Sequence, residues 1–161
     1  MAFAFIDGGF EEREARHIAA DAFLVFHEAR NRVTFFPGAL EVLETLTDSY
    51  TLGALSNGNA DLKQIGIAEL FAFHHSAESI GIRKPEPDMF HAALRTAGVK
   101  PHQALHVGDH PVEDVDAARR HGFHSVWANL IDLSWPQDLD RPEHHIHHLR
   151  ELTDLLPLFD D

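Results

Sequence analysis

Residues 104–122 read ALHVGDHPVEDVDAARRHG, and the folding of this stretch decides the architecture. The apolar run 104–107 is too short for a helix and ends in Gly108-Asp109, which is turn chemistry. Over 112–121 the pattern becomes helical and stops at Gly122, the residue type best suited to a left-handed helix terminus. The same alternation extends outward in both directions. Short apolar runs at 50–55 (YTLGAL), 71–73 (FAF) and 124–128 (HSVWA) are predicted strands, with helical stretches at 59–70 and 87–97 between them. Strands alternating with helices predict an α/β fold, a parallel sheet between helices. Buried parallel strands should be almost continuously apolar, and these are.

Upstream, residues 11–33 predict one amphipathic helix, with Ala15, Ile18, Ala19, Ala22, Phe26 and Ala29 at three- and four-residue spacings. Pro37-Gly38 breaks it, and a second helix presents Leu40, Leu43 and Leu46. Downstream, 129–142 is a polar, proline-containing connection, and Trp127 and Trp135 are expected to cover the sheet edge and anchor it. A final helix is expected near 143–156, carrying Ile146, Leu149, Leu152 and Leu156. His144, His145, His147 and His148 fall at its start, where three could share a face and bind zinc or nickel. An exposed polar face is the simpler reading, because no carboxylate sits at a matching position.

Composition narrows the functional classes. The 161 residues are 44% hydrophobic and 24% charged, an ordinary globular balance. Thirteen basic against 26 acidic residues give a net charge of −13, which argues against a nucleic-acid partner. The absence of cysteine removes disulfide scaffolds and thiolate chemistry. No apolar run approaches the roughly 20 residues that span a bilayer. MAFAFI lacks the basic flank of a signal peptide. The simplest expectation is a cytoplasmic protein with no membrane partner.

In open α/β sheets, ligands bind beyond the carboxyl ends of the strands. Three features fall there. Ser56-Asn57-Gly58 can place donors around a phosphate oxygen, or can merely cap a helix. Lys84, in GIRKPEPD, is held between stiff segments and can neutralise a phosphate, or can be a solvated surface lysine. Asp109 and Asp114 suit a hard divalent cation, or else shape a turn and a helix start. Taken together, a hydroxyl, a lysine and an acidic pair are what phosphoryl transfer requires. His106 and His110 flank the Gly-Asp turn, with roles in packing or in substrate entry.

With LGALSNGNADL, GIRKPEPDMFHAAL and HVGDHPVEDVDAARRHG in this order, the sequence resembles the haloacid dehalogenase-like hydrolases. The likeness covers 36–161, while 11–34 resembles the last helix of the family's helical cap. It implies a Rossmann-like core over 36–161 and a cap remnant over 1–35. It also implies magnesium-dependent hydrolysis of a small phosphorylated metabolite through an aspartyl-phosphate. In these roles Ser56 and Asn57 bind the phosphoryl group, and Lys84 pairs with phosphate and nucleophile. Asp109 is a metal ligand, and Asp114 supports the metal site or orients Lys84.

The family's first motif, a strand ending in Asp-x-Asp, has no counterpart upstream of Ser56. The nearest candidate is Asp7, in FIDGG, and either alignment of it loses one essential carboxylate. The expectation is therefore a chain truncated at its amino terminus, with catalysis weak or absent. Residues 1–6 could substitute for the lost central strand and bring Asp7 to the active-site edge. An unfilled sheet centre would favour self-association. A non-catalytic phosphate- or metal-binding protein of the same fold, or a metal-independent haloacid dehalogenase, are the alternatives.

Overall fold

A computed structural model describes residues 2–159. The chain divides into two compact units, Met1–Thr34 with Ala60–Gly66, and Phe35–Asn59 with Ile67–Asp161.

The first unit is helical. Helix α1 (Ala2–Asp7) and helix α2 (Glu12–Arg30) are joined by Gly8 and Gly9. Phe10 N–H bonds the Phe5 carbonyl at 3.1 Å, Gly9 N–H bonds the Ile6 carbonyl at 2.9 Å, and Gly9 adopts φ 93°. These are the two bonds of a Schellman terminus, and the Phe5 and Phe10 rings meet edge-to-face at 6.1 Å as its apolar contact. This corrects the expectation for the amino terminus. Ala2–Ile6 is helical and does not replace a central strand, and Met1 lies outside the described residues. The Ala-Phe-Ala-Phe alternation resembles a strand, but Gly-Gly-Phe behind it supplies a helix stop.

Helix α2 buries Ala15 and Ala19. Its consecutive Phe23, Leu24, Val25 and Phe26 are exposed. At its end the buried Asn31 donates to Gln64 Oε1 (3.1 Å) and accepts from Asp61 N–H (2.8 Å), holding helix α4 (Leu62–Ile65) in this unit. Asp61 caps α4, and the Lys63 N–H bond holds its carboxyl below the usual range. The helix expected over 59–70 thus shrinks to one turn. Gly66 (φ 87°) ends it, and only a 3₁₀ turn, Ala68–Leu70, follows.

The second unit is α/β. Helix α3 (Ala39–Thr47) leads to strand β1 (Gly53–Ser56), and β2 (Phe73–Ser76) pairs parallel with β1. Helices α5 (Ala77–Ile80) and α6 (Pro87–Ala97) precede β3 (Leu105–Gly108). A π-helical turn, Pro111–Asp116, runs into α7 (Ala117–Arg120), and β4 (His124–Ala128) follows, parallel to β3. The segment expected as one last helix instead begins with strand β5 (His144–Ile146), parallel to β4, and only then enters α8 (Glu151–Leu155).

The histidine cluster is therefore spread over a strand and a turn, not over a helix face. Ile146, fully buried beside Ala128, decides this, because the open edge of β4 overrides a helical spacing. Among the described residues no group of three His, Asp or Glu side chains could hold a metal.

Val42 and Leu46 of α3, Val126, Ala128, Ile146 and Leu152 form one apolar cluster. Phe90 of α6, Ala117, Ala118 and Phe123 form a second, with Leu55 and Leu94 packed against it. The strands make two sheets, β1-β2 and β3-β4-β5. A cavity of about 420 Å³ has β1 residues Gly53 and Leu55 and β3 residues Leu105 and Val107 in its wall. Among the described residues no helix is long and apolar enough to cross a membrane.

Ile146→Ala is expected to cost about 2–5 kcal/mol in urea unfolding, as deleting a fully buried isoleucine should. Unchanged stability would place residues 144–146 outside the sheet.

Candidate active site

Strand β1 ends at Ser56, whose Oγ accepts the Gly58 N–H at 3.0 Å and tightens the turn. Asn57 then reaches across to the 83–86 loop. Its Oδ1 accepts Lys84 N–H (2.7 Å), and its Nδ2 donates to the Lys84 carbonyl (2.9 Å) and to Glu113 Oε2 (2.8 Å). The other oxygen of Glu113 takes Arg83 at 3.2 Å. One amide therefore fixes the lysine backbone on both sides. Both of its N–H donors are engaged in doing so, which makes Asn57 a clamp on Lys84 in place of a phosphate donor.

Lys84 is only 7% exposed. Its Nζ donates to the Leu55 carbonyl at the end of β1 (3.1 Å) and to Asp114 Oδ1 (2.5 Å). Asp114 is 5% exposed and fully engaged. His106 Nε2 lies 3.1 Å from Oδ1, and His110 N–H donates to Oδ2 at 3.0 Å. Burial alone would raise the Asp114 pKa. The His106 hydrogen bond and the charge of Lys84 outweigh it and hold the carboxyl well below the usual carboxylate range.

The π-helical turn carries Asp114 directly over the end of β3. A Cβ at Gly108 would lie 2.4 Å from Asp114 Cβ and Cγ, so only glycine allows this approach. His110 starts the turn, its Nδ1 accepting Val112 N–H (3.2 Å) and Glu113 N–H (3.0 Å). Single-turn π geometry of this kind is common at functional sites.

Ser56, Asn57, Lys84 and Asp114 thus share one strand-end cluster. Asp109 follows Gly108 at the same edge, with its carbonyl held by Trp127 Nε1 at 2.9 Å. Its exposed carboxylate makes no hydrogen bond or ion pair among the described residues. Asp7 is exposed at the end of α1 in the helical unit and not at the end of a strand. Trp135 anchors the connection through Leu139 (3.2 Å) and meets Trp127 edge-to-face at 4.9 Å.

Two participants escaped the sequence reading, Glu113 and the Leu55 carbonyl, and His106, read there for packing or substrate entry, instead bonds Asp114. His106 alone carried a signal, a polar residue in the middle of an apolar strand. A magnesium ion takes one or two carboxylates besides phosphate oxygens and water. Both oxygens of Asp114 are engaged, which leaves Asp109 as the open carboxylate at this strand end.

Residues 4–122 match the family model for haloacid dehalogenase-like hydrolases. The chain belongs to this family. It is 36% identical to haloacid dehalogenase-like hydrolase domain-containing protein 3 of Xenopus laevis, covering 86% of this chain and 58% of that protein. It is also 36% identical to a phosphoserine phosphatase of Thermus thermophilus, covering 90% and 58%. The chain thus spans less than two thirds of the length of these relatives. Among solved structures, a 2-haloacid dehalogenase from Pseudomonas syringae pv. tomato superposes with a TM-score of 0.92 at 40% identity, covering 98% of this chain and 68% of that one. Phosphatases and dehalogenases are both among the relatives of this chain.

Asp114→Asn removes the counter-charge of a buried ammonium and is expected to cost about 3–5 kcal/mol at pH 7 in urea unfolding. The depressed carboxyl stabilises the fold above its unfolded pKa near 4, and this contribution fades as pH falls below that value. The gap between the two proteins should therefore narrow in acid. A gap independent of pH would refute the ionised pair.

Proposed function

We propose that this chain supplies the anion-gripping part of a phosphate-monoester hydrolase acting on a small phosphorylated metabolite. The observation that carries the reading is the buried Lys84. An ammonium has three donors, and Leu55 and Asp114 take two of them. Among the described residues the third has no partner, and it would meet an oxygen of a bound anion. Ser56 Oγ accepts from Gly58 and keeps its own proton to donate. Donors at this strand end, one of them cationic, would lower the energy of a phosphoryl group as negative charge builds on its oxygens.

Asp109, open at the same edge, would be this chain's ligand to magnesium, which in the family neutralises phosphoryl charge. A second carboxylate would have to complete that position. The attacking carboxylate must come from an Asp-x-Asp motif, and none precedes Ser56 in this sequence. The 161 residues alone are therefore expected to bind phosphate without turning over an ester.

The 40% identity to a 2-haloacid dehalogenase supports a second reading. Lys84 and Ser56 would then grip the carboxylate of a 2-haloacid, and no magnesium would be needed.

Isothermal titration should show inorganic phosphate binding to the chain, weakened about 10- to 100-fold in Lys84→Ala, as loss of a charge-assisted bond implies. p-Nitrophenyl phosphate with magnesium should give only background release. Absence of phosphate binding, or chloride release from 2-chloropropionate, would overturn the phosphatase reading.

A further inference from the structure

Strands β4 and β5 carry an aromatic pocket that the Lys84 cluster does not use. Trp127 and Asn129 on one strand end, and His145 and His147 on the other, alternate with Val126, Ala128 and Ile146. They therefore lie on the sheet face opposite the apolar cluster that those three residues join. Trp127 stands directly across from His145 in the parallel register. With Trp135 and Arg141 from the 129–142 connection, these side chains line a cavity of about 280 Å³ at the carboxyl ends of the two strands. Ligands of open α/β sheets collect at such ends. None of Ser56, Lys84, Asp109 and Asp114 belongs to its wall.

The wall is built from groups whose polar atoms are already engaged. Trp127 Nε1 donates to the Asp109 carbonyl at 2.9 Å, and Trp135 Nε1 to the Leu139 carbonyl at 3.2 Å. Asn129 donates to the Leu133 carbonyl (3.0 Å) and accepts the Leu133 N–H (2.7 Å), which closes the loop. The two indoles meet edge-to-face with centroids 4.9 Å apart, and the His145 ring lies 6.4 Å from Trp127. Together they offer flat aromatic surface. Arg141 differs from its neighbours, because it makes no hydrogen bond or ion pair among the described residues. The nearby acids are turned to other partners: Asp140 lies 3.6 Å from Arg119, Glu143 3.9 Å from His144, and Asp132 bonds His147 at 3.1 Å. In a chain of net charge −13, this cation has been left without a carboxylate beside an aromatic corner.

We infer that this pocket binds a single-ring aromatic carboxylate, its ring against Trp127 and Trp135 and its carboxylate on Arg141. The volume falls just below the roughly 300 Å³ at which pockets begin to hold drug-sized molecules, so one ring fills it. An edge-to-face pair of indoles favours a flat partner over a puckered one. A planar guanidinium, always charged, matches a carboxylate through two parallel bonds. The site does not depend on the anion grip at Lys84; the Asp109 carbonyl, held by Trp127, is where the two adjoin.

The chain has two tryptophans and both line this cavity, so its two indole N–H signals in NMR report on this pocket alone. Benzoate titrated into the full chain should shift both signals saturably, with a Kd of about 1 mM for so small a ligand. Benzamide, which lacks the charge, and cyclohexanecarboxylate, which lacks the flat ring, should each bind about tenfold more weakly. Arg141→Gln changes an exposed residue and should leave the melting temperature unaltered while binding benzoate only as weakly as the unsubstituted chain binds benzamide. Trp135→Leu should erase the preference for benzoate over cyclohexanecarboxylate. Indole signals that stay in place at saturating benzoate overturn the inference. So does equal affinity for benzoate and benzamide, or for benzoate and cyclohexanecarboxylate, and so does undiminished benzoate binding by Arg141→Gln.

Discussion

The buried pair of Lys84 and Asp114 is the constraint around which this core is arranged. An ammonium at 7% exposure and a carboxylate at 5% are each costly alone, and each is tolerated because the other is 2.5 Å away. Most of the surrounding architecture serves to keep them there. Asn57 fixes the lysine backbone, His106 and the His110 N–H saturate the carboxylate, and Gly108 makes room for it. Replacing any one of these groups would leave a buried polar atom unpaired or force the two strand ends apart.

The pair also bridges the break in the sheet. On one side Lys84 touches the end of β1, and on the other Asp114 covers the end of β3. Below this bridge both strands contribute to the wall of one cavity and do not pair with each other, so their carboxyl ends are coupled by charge and not by backbone pairing. This explains how a site spread over two sheets holds its geometry. It also holds the Lys84 ammonium in one place, between the Leu55 carbonyl and Asp114.

Much of this was legible in the sequence wherever a residue type had one physical solution. Gly108-Asp109 after an apolar run, and Gly98 and Gly122 after helical runs, marked β3 and the ends of α6 and α7. Ser56, Lys84 and Asp114 were found because strand ends collect chemistry in parallel sheets. What misled was local periodicity against tertiary context. Residues 2–6 alternate like a strand but are closed by a Schellman turn, and 143–156 has helical spacing but faces an open strand edge. Asp114 beside Lys84 was one of the two roles the resemblance implied, whereas the bonds of Asn57 could not be read, because they depend on which donors and acceptors its neighbours leave free.

The carboxyl carbon of Asp114, followed by NMR from pH 6 to about 3, tests the central claim most directly. An ionised, buried partner of Lys84 and His106 should show no titration step near pH 4 while the fold persists. A step at the ordinary aspartate value of about 4 would mean that the carboxylate is solvated and unpaired. The account of the site would then fail at its root.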